Sequence, residues 1–164
     1  MLFRSVCNAP VDPYAQLFVD TDGIKHRIMM WQHYQRDIEG FLYWQTTSWG
    51  YRQGDIDPWE TVKNGVNGGN PGEAAGPVYG EGFLLYPGTP VGVAGPIATN
   101  RLKMLRDGID DIELLYLAEK EFGKEWVMEK VNEVTPSLTS FTSEENFYKI
   151  RKEIGDALEA ALNS

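Results

Sequence analysis

One cysteine, two histidines and no long apolar run set the first limits on this 164-residue chain. The lone thiol, Cys7, closes no intramolecular bridge, so no disulfide framework holds the fold, and a buried structural thiol is the expectation for it. Met1-Leu-Phe-Arg-Ser-Val is too short and too polar for a secretory signal. No segment approaches the ~20 consecutive apolar residues of a membrane span, so no membrane partner is expected and the compartment stays open. His26 and His33 stand seven residues apart, which places them on the same side of one helix. With no carboxylate or thiolate beside them they form a weak zinc set, so no metal and no cofactor is expected, and both are read as helix-surface residues. Basic residues are scarce as well. Lys and Arg number 15 against 24 Asp and Glu, a net charge of -9, which is the wrong sign for nucleic acid or an anionic membrane surface. A neutral ligand is more compatible with that balance.

What is present is an ordinary globular composition. Hydrophobic residues make up 42% and charged residues 24%, enough for one domain with a real core. Leu2–Cys7 reads as a short strand, ended by Asn8-Ala-Pro10 and Asp12-Pro13. Asp22 is placed to cap a helix that carries Ile24, Ile28, Trp31 and Ile38 on one face and ends near Gly40. A second strand follows, giving a strand–helix–strand unit with parallel strands. Thirteen of the seventeen glycines then fall between Gly40 and Gly95, which rules out long regular elements there. Phe83–Tyr86 reads as a short strand or an extended apolar plug. From Ile97 the spacing predicts three helices. The first has Leu102, Leu105, Ile109, Ile112 and Tyr116 inward, widened by Leu115, Ala118 and Phe122, and stops at Gly123. The second carries Val127, Val131 and Val134 and ends before Pro136. The third opens on a Thr142/Glu145 capping box and turns Phe147, Ile150, Ile154, Leu158 and Ala161 inward. The charge runs on these helices read as solvated faces.

Chemistry is easiest to place at Gly40–Trp49. Phe41-Leu-Tyr-Trp44 is rich in β-favouring residues, and Gln45, Thr46, Thr47 and Ser48 follow with hydrogen-bonding groups between two indoles. Flat aromatic faces beside amides and hydroxyls suit a sugar ring. The competing reading is a core strand in which Trp is filler. Ligands of α/β folds bind at the carboxyl ends of parallel strands, which is where Tyr43, Trp44, Trp49 and Trp59 would gather, with Asn8 at the end of the preceding strand. Other chemistries have less support. The glycines of Asn64–Gly69 match no phosphate loop, because no strand precedes them and no helix follows. Asp55, Asp57 and Glu60 in the loop show no spacing that singles out an acid and a base, while Arg101, Arg106 and Asp107 read as pairs that lock a helix against loops.

Asp22-Gly-Ile-Lys-His-Arg27, Trp31-Gln32, Gly40–Trp44, Asp57-Pro-Trp59, Gly80–Gly88 and Arg101–Asp111 occur in an order that resembles the C-terminal region of glycoside hydrolase family 123, and equally the domain of unknown function numbered 4091. The resemblance covers roughly residues 2 to 118, and the last two helices add nothing to it. It implies an α/β fold: the C-terminal portion of a (β/α)8 TIM-like barrel, with about two parallel strands and their helices, a long Gly/Pro-rich loop and a helical C-terminus. Residues 1–123 would form the barrel part, including the loop 50–96, and residues 124–164 a helical extension of the same domain. The implied activity is hydrolysis of N-acetylhexosaminides, of N-acetylgalactosaminide type, in which the substrate's own acetamido oxygen attacks the anomeric carbon, an Asp orients that group and an adjacent Glu acts as general acid.

This chain contains no Asp-Glu dipeptide. The expectation is therefore a C-terminal fragment of such an enzyme, or the product of a shortened gene, with no catalytic residue of its own and no turnover alone. By the resemblance Tyr43 and Trp44 would wall the sugar subsite, Trp49 and Trp59 would reach it from the loop, and Tyr86-Pro87 and Arg101 would support that loop. Family members often carry a small residue and Leu before the Arg, where this chain has Thr99-Asn100. The expected partners are a carbohydrate ligand and either the missing N-terminal barrel portion or another copy of the chain. The alternative is a non-catalytic carbohydrate-binding or protein-interaction module.

Overall fold

The computed structural model describes residues 3–6, 12–48, 58–61 and 79–163. In chain order the elements are β1 (Phe3–Val6), α1 (Gly23–Gln35), β2 (Gly40–Tyr43), a single turn α2 (Pro58–Thr61), β3 (Leu85–Pro87), a 3-10 turn (Thr89–Val91), β4 (Pro96–Ala98), α3 (Asn100–Phe122), α4 (Lys124–Val134) and α5 (Glu144–Leu162). β1 and β2 pair in parallel, from Phe3 opposite Gly40 to Val6 opposite Tyr43, with α1 between them in sequence. β3 and β4 pair antiparallel, Leu85 opposite Ala98.

The barrel expectation is corrected here. Among the described residues the strands form two separate two-stranded sheets, neither of them closed, and helices dominate. A closed (β/α)8 barrel buries side chains inside eight strands. Here the apolar surface is buried helix on helix. One core joins Ile28, Trp31 and Tyr34 of α1, Leu115 and Ala118 of α3, the three valines of α4, and Phe147, Ile150 and Ile154 of α5. A second packs Met29 and Met30 of α1 and Leu105 of α3 against Ala15, Leu17 and Leu84.

α1 is the central element, and it differs from its expected one-faced form. Every residue from His26 to Tyr34 is buried, so no apolar stripe stands out. It also ends earlier than Gly40 suggests. Asp37 takes a left-handed φ of 52°, its N–H donates to the Tyr34 carbonyl at 3.2 Å, and the Ile38 N–H donates to the His33 carbonyl at 2.9 Å. This is a Schellman stop with Asp at the position glycine usually fills, and it leaves Ile38 outside the helix. The Asp22 side chain makes no cap bond.

α3 runs 23 residues from a Thr99 cap, whose hydroxyl accepts from the Leu102 N–H, to Gly123 as expected. Its buried stripe is the expected one only in part, at Leu105, Leu115 and Ala118. Arg101, Leu105, Gly108, Asp111, Leu115 and Ala118 face inward, whereas Ile109 is 52% exposed. Gly108 lets α1 and α3 touch: a Cβ there would lie 2.9 Å from the Arg27 carbonyl oxygen and 2.8 Å from Met30 Cγ. α4 keeps Val127, Val131 and Val134 fully buried and ends at Val134, ahead of Pro136. α5 buries Phe147, Ile150 and Ile154, but Ser143 is its cap, accepting from the Asn146 N–H at 3.2 Å, rather than Thr142.

The charged faces are not all solvated. Asp111, fully buried, takes two bonds from Arg27 (2.6 and 2.8 Å), one from Trp31 Nε1 (3.1 Å) and one from Arg151 (2.6 Å). This node fastens α1, α3 and α5 together.

Candidate functional site

β2 delivers Tyr43 and Trp44 to its carboxyl end, beside the parallel partner β1. Beyond it the chain bridges across to the segment ahead of β3: Thr47 pairs with Phe83, Leu84 N–H donates to the Thr46 carbonyl at 3.0 Å, and Ser48 N–H to the Gly82 carbonyl at 3.0 Å. This brings Glu81 against the two aromatics. Its carboxylate is fully buried and accepts from Tyr43 Oη at 3.2 Å and from Trp44 Nε1. Tyr43 Oη in turn accepts from the Gly82 N–H at 2.8 Å. Burial, and then the Glu81 charge, push the Tyr43 hydroxyl well above the usual tyrosine range, so it stays a neutral donor.

The glycines on either side of Glu81 are required by geometry. Gly80 and Gly82 adopt φ of +71° and +79°. A Cβ on Gly82 would lie 2.7 Å from Trp44 Cζ2, and one on Gly80 would lie 2.6 Å from Val19 Cγ2. Behind this turn Arg101, buried at the start of α3, donates to the carbonyls of Leu17 (2.7 Å), Gly80 (2.6 Å) and Phe83. The expectation that Arg101 supports the loop therefore holds, and the side chain does so through main-chain carbonyls of two segments. Burial lowers the Arg101 pKa, while Tyr86, Tyr43 and Glu81 favour its charge.

Trp59 occupies a different wall. Its Nε1 donates to the Pro87 carbonyl at 3.3 Å and its ring stands edge-on to Tyr86, centroids 4.8 Å apart. These two rings line a cavity of about 520 Å³ that also takes in Thr21, His26, Asn100 and Arg101. So the structure joins Tyr43 and Trp44 through Glu81 and sets Trp59 against Tyr86. Trp49 and Asn8 lie outside the described residues, as do Cys7, Asp55 and Asp57. Leu42 is 55% exposed, because strand alternation turns it away while Phe41 packs on the second core.

Three polar residues were missed or misplaced. Glu81 had a readable signal in its flanking glycines, Gly80 and Gly82. His26 and His33 are each 3% exposed rather than on the surface, because α1 is buried on all sides. His26 Nδ1 lies 2.6 Å from the Gln16 carbonyl oxygen, which can only accept, so Nδ1 carries the proton. Burial, helped by Arg101 and opposed by the Gln16 bond and Asp22, lowers the imidazole pKa of His26 to about 4. Among the described residues no group of three or more His, Cys, Asp or Glu is arranged to hold a metal ion. No described helix is long and apolar enough to cross a membrane.

The sequence profile of the glycoside hydrolase 123 catalytic domain matches residues 3–118, and the chain belongs to this family. The match corrects the expectation of a C-terminal region. It is to the catalytic domain, and it occupies the leading part of this 164-residue chain, with α4 and α5 beyond it. No curated protein matches the chain.

Proposed function

We propose that this family member binds an N-acetylhexosaminide, of N-acetylgalactosaminide type, at the end of β2, with Tyr43 and Trp44 as the platform and no acid pair of its own to cut the glycosidic bond. The observation that carries the reading is the Tyr43–Glu81–Trp44 cluster. Glu81 engages the phenol hydroxyl and the indole N–H, which fixes both rings. A ring face held at a set angle is what the C–H side of a sugar packs against, and a fixed platform loses little entropy on binding. The setting, at the carboxyl end of a parallel strand, supports the same reading. Trp49 and Asn8 are the further proposed contacts. The absence of an Asp-Glu dipeptide supports binding without hydrolysis.

The test is a titration of the full chain with N-acetylgalactosamine, alongside an assay on an aryl N-acetylgalactosaminide. Saturable binding that Trp44→Ala weakens at least tenfold, with no turnover, is the expected result. Turnover that Glu81→Gln abolishes would overturn the non-catalytic part of the reading, and a flat titration would overturn the binding part.

A further inference from the structure

The cavity beside Trp59 is walled by chemistry of its own. Its volume, about 520 Å³, falls within the roughly 300–1,000 Å³ of small-molecule pockets. It opens where α1 and α3 begin, at Gly23 and Asn100. One side is aromatic, Trp59 edge-on to Tyr86, with the indole N–H bonded to the Pro87 carbonyl and the Arg101 charge near the Tyr86 hydroxyl. The polar side is His26, Thr21 and Asn100. With Nδ1 committed to Gln16, the nitrogen of His26 with a lone pair to offer is Nε2. The side chains of Thr21 and Asn100 bond to no other described residue.

The charge pattern selects among ligands. His26 is neutral at ordinary pH. Arg101 is the one formally charged group among the described lining residues. Its guanidinium is committed to three carbonyls and lies near the Glu81 carboxylate, so it offers little to an anion. An acceptor nitrogen, a hydroxyl and an amide facing an aromatic wall, with no uncommitted charge, match a neutral ring that carries several hydroxyl groups.

We propose that this cavity is a second saccharide site, separate from the Tyr43–Trp44 platform, in which a sugar ring lies on Trp59 and Tyr86 and donates a hydroxyl to His26 Nε2. This rests on the reading that the protein binds carbohydrate. It assigns Trp59 to the second site rather than to the platform.

The two sites are separable by nuclear magnetic resonance, because Trp44 and Trp59 each carry an indole N–H. The full chain, with its indole signals assigned from single Trp→Phe variants, is titrated with N-acetylgalactosamine. Both signals are expected to move, with different dissociation constants. His26→Asn keeps a donor for the Gln16 carbonyl and removes the Nε2 acceptor. It is expected to weaken the Trp59 titration roughly tenfold, the worth of one hydrogen bond, and to leave the Trp44 titration in place. A Trp59 signal that stays fixed while Trp44 moves would overturn this proposal and leave the platform standing. Both signals staying fixed would overturn both. An unchanged Trp59 titration in His26→Asn would remove the hydroxyl contact, and with it the proposed site. Should His26→Asn not fold, Ile97→Phe narrows the cavity from β4 and gives the same readout.

Discussion

Arg27 and Asp111 lie 84 positions apart in the chain, yet their side chains meet in a two-bonded ion pair of 2.6 and 2.8 Å inside the helical core. The same carboxylate holds Trp31 and Arg151, and the Arg27 guanidinium lies 5.3 Å from the Phe147 ring centroid. Removing one partner of a buried pair strands the other charge. Asp111→Ala is therefore expected to cost about 3–5 kcal/mol, read as a lower urea midpoint. Replacing both Arg27 and Asp111 with apolar residues should recover part of that loss. A double variant as unstable as Asp111→Ala would show that the stranded charge is not the cause.

Glu81→Gln tests the brace beneath the platform. A glutamine offers one oxygen where the carboxylate offers two, so it cannot accept from both Tyr43 and Trp44 as Glu81 does. The expected loss is about 1–3 kcal/mol, with a changed near-ultraviolet circular dichroism band as the two rings reorient. An unchanged band would mean that Glu81 does not set the ring geometry.

Gly82→Ala should be worse than an ordinary loop substitution. It places a Cβ at a φ of +79° and 2.7 Å from Trp44 Cζ2. About 1–2 kcal/mol comes from the left-handed backbone alone, before any displacement of the indole. Thermal unfolding measures the first part and Trp fluorescence the second. By contrast Gly155→Ala, where a Cβ meets nothing within 4 Å inside α5, should be neutral or slightly stabilising.

His26 makes stability depend on pH in a defined window. Its folded pKa is depressed from 6.5 to about 4, so the unfolded chain binds the proton more readily. The contribution is complete above pH 6.5 and is lost as pH falls toward 4. The full loss is on the order of 3 kcal/mol. His26→Asn should flatten the difference in denaturation midpoint between pH 6.5 and pH 4 relative to the parent chain. Equal slopes in the two proteins would show that His26 is not the titrating group.

The sequence disclosed the elements whose burial follows apolar spacing. The valines of α4 and the Phe147–Ile150–Ile154 stripe of α5 are buried as their three- and four-residue steps predict. It was misleading where burial follows other chemistry. The inward stripe of α3 runs through Arg101, Gly108 and Asp111, which an apolar count passes over in favour of the exposed Ile109. α1 offers no stripe because it is covered on all sides. The strand–helix–strand order was legible, but the number of strands beside it was not, since hydrophobic spacing in a short strand says nothing of how many neighbours it has. In the site, the Tyr43 and Trp44 rings stood out, while the residue that orients them lies 37 positions beyond Trp44 and is visible only as a carboxylate between two glycines.

The Arg101 side chain takes carbonyls from both ends of a long stretch, Leu17 on one side and Gly80 and Phe83 on the other. Together with the contact of α1 on α3 at Gly108, it ties residues 12–48 to residues 79–122 through side-chain and packing contacts. A chain cut once in that stretch should then behave as a split protein. Residues 1–61 and 62–164, expressed separately, should reassemble and co-elute, and Arg101→Ala should weaken their association. The guanidinium serves as a reversible staple, and it closes the molecule where a chain with one cysteine has no disulfide to do so.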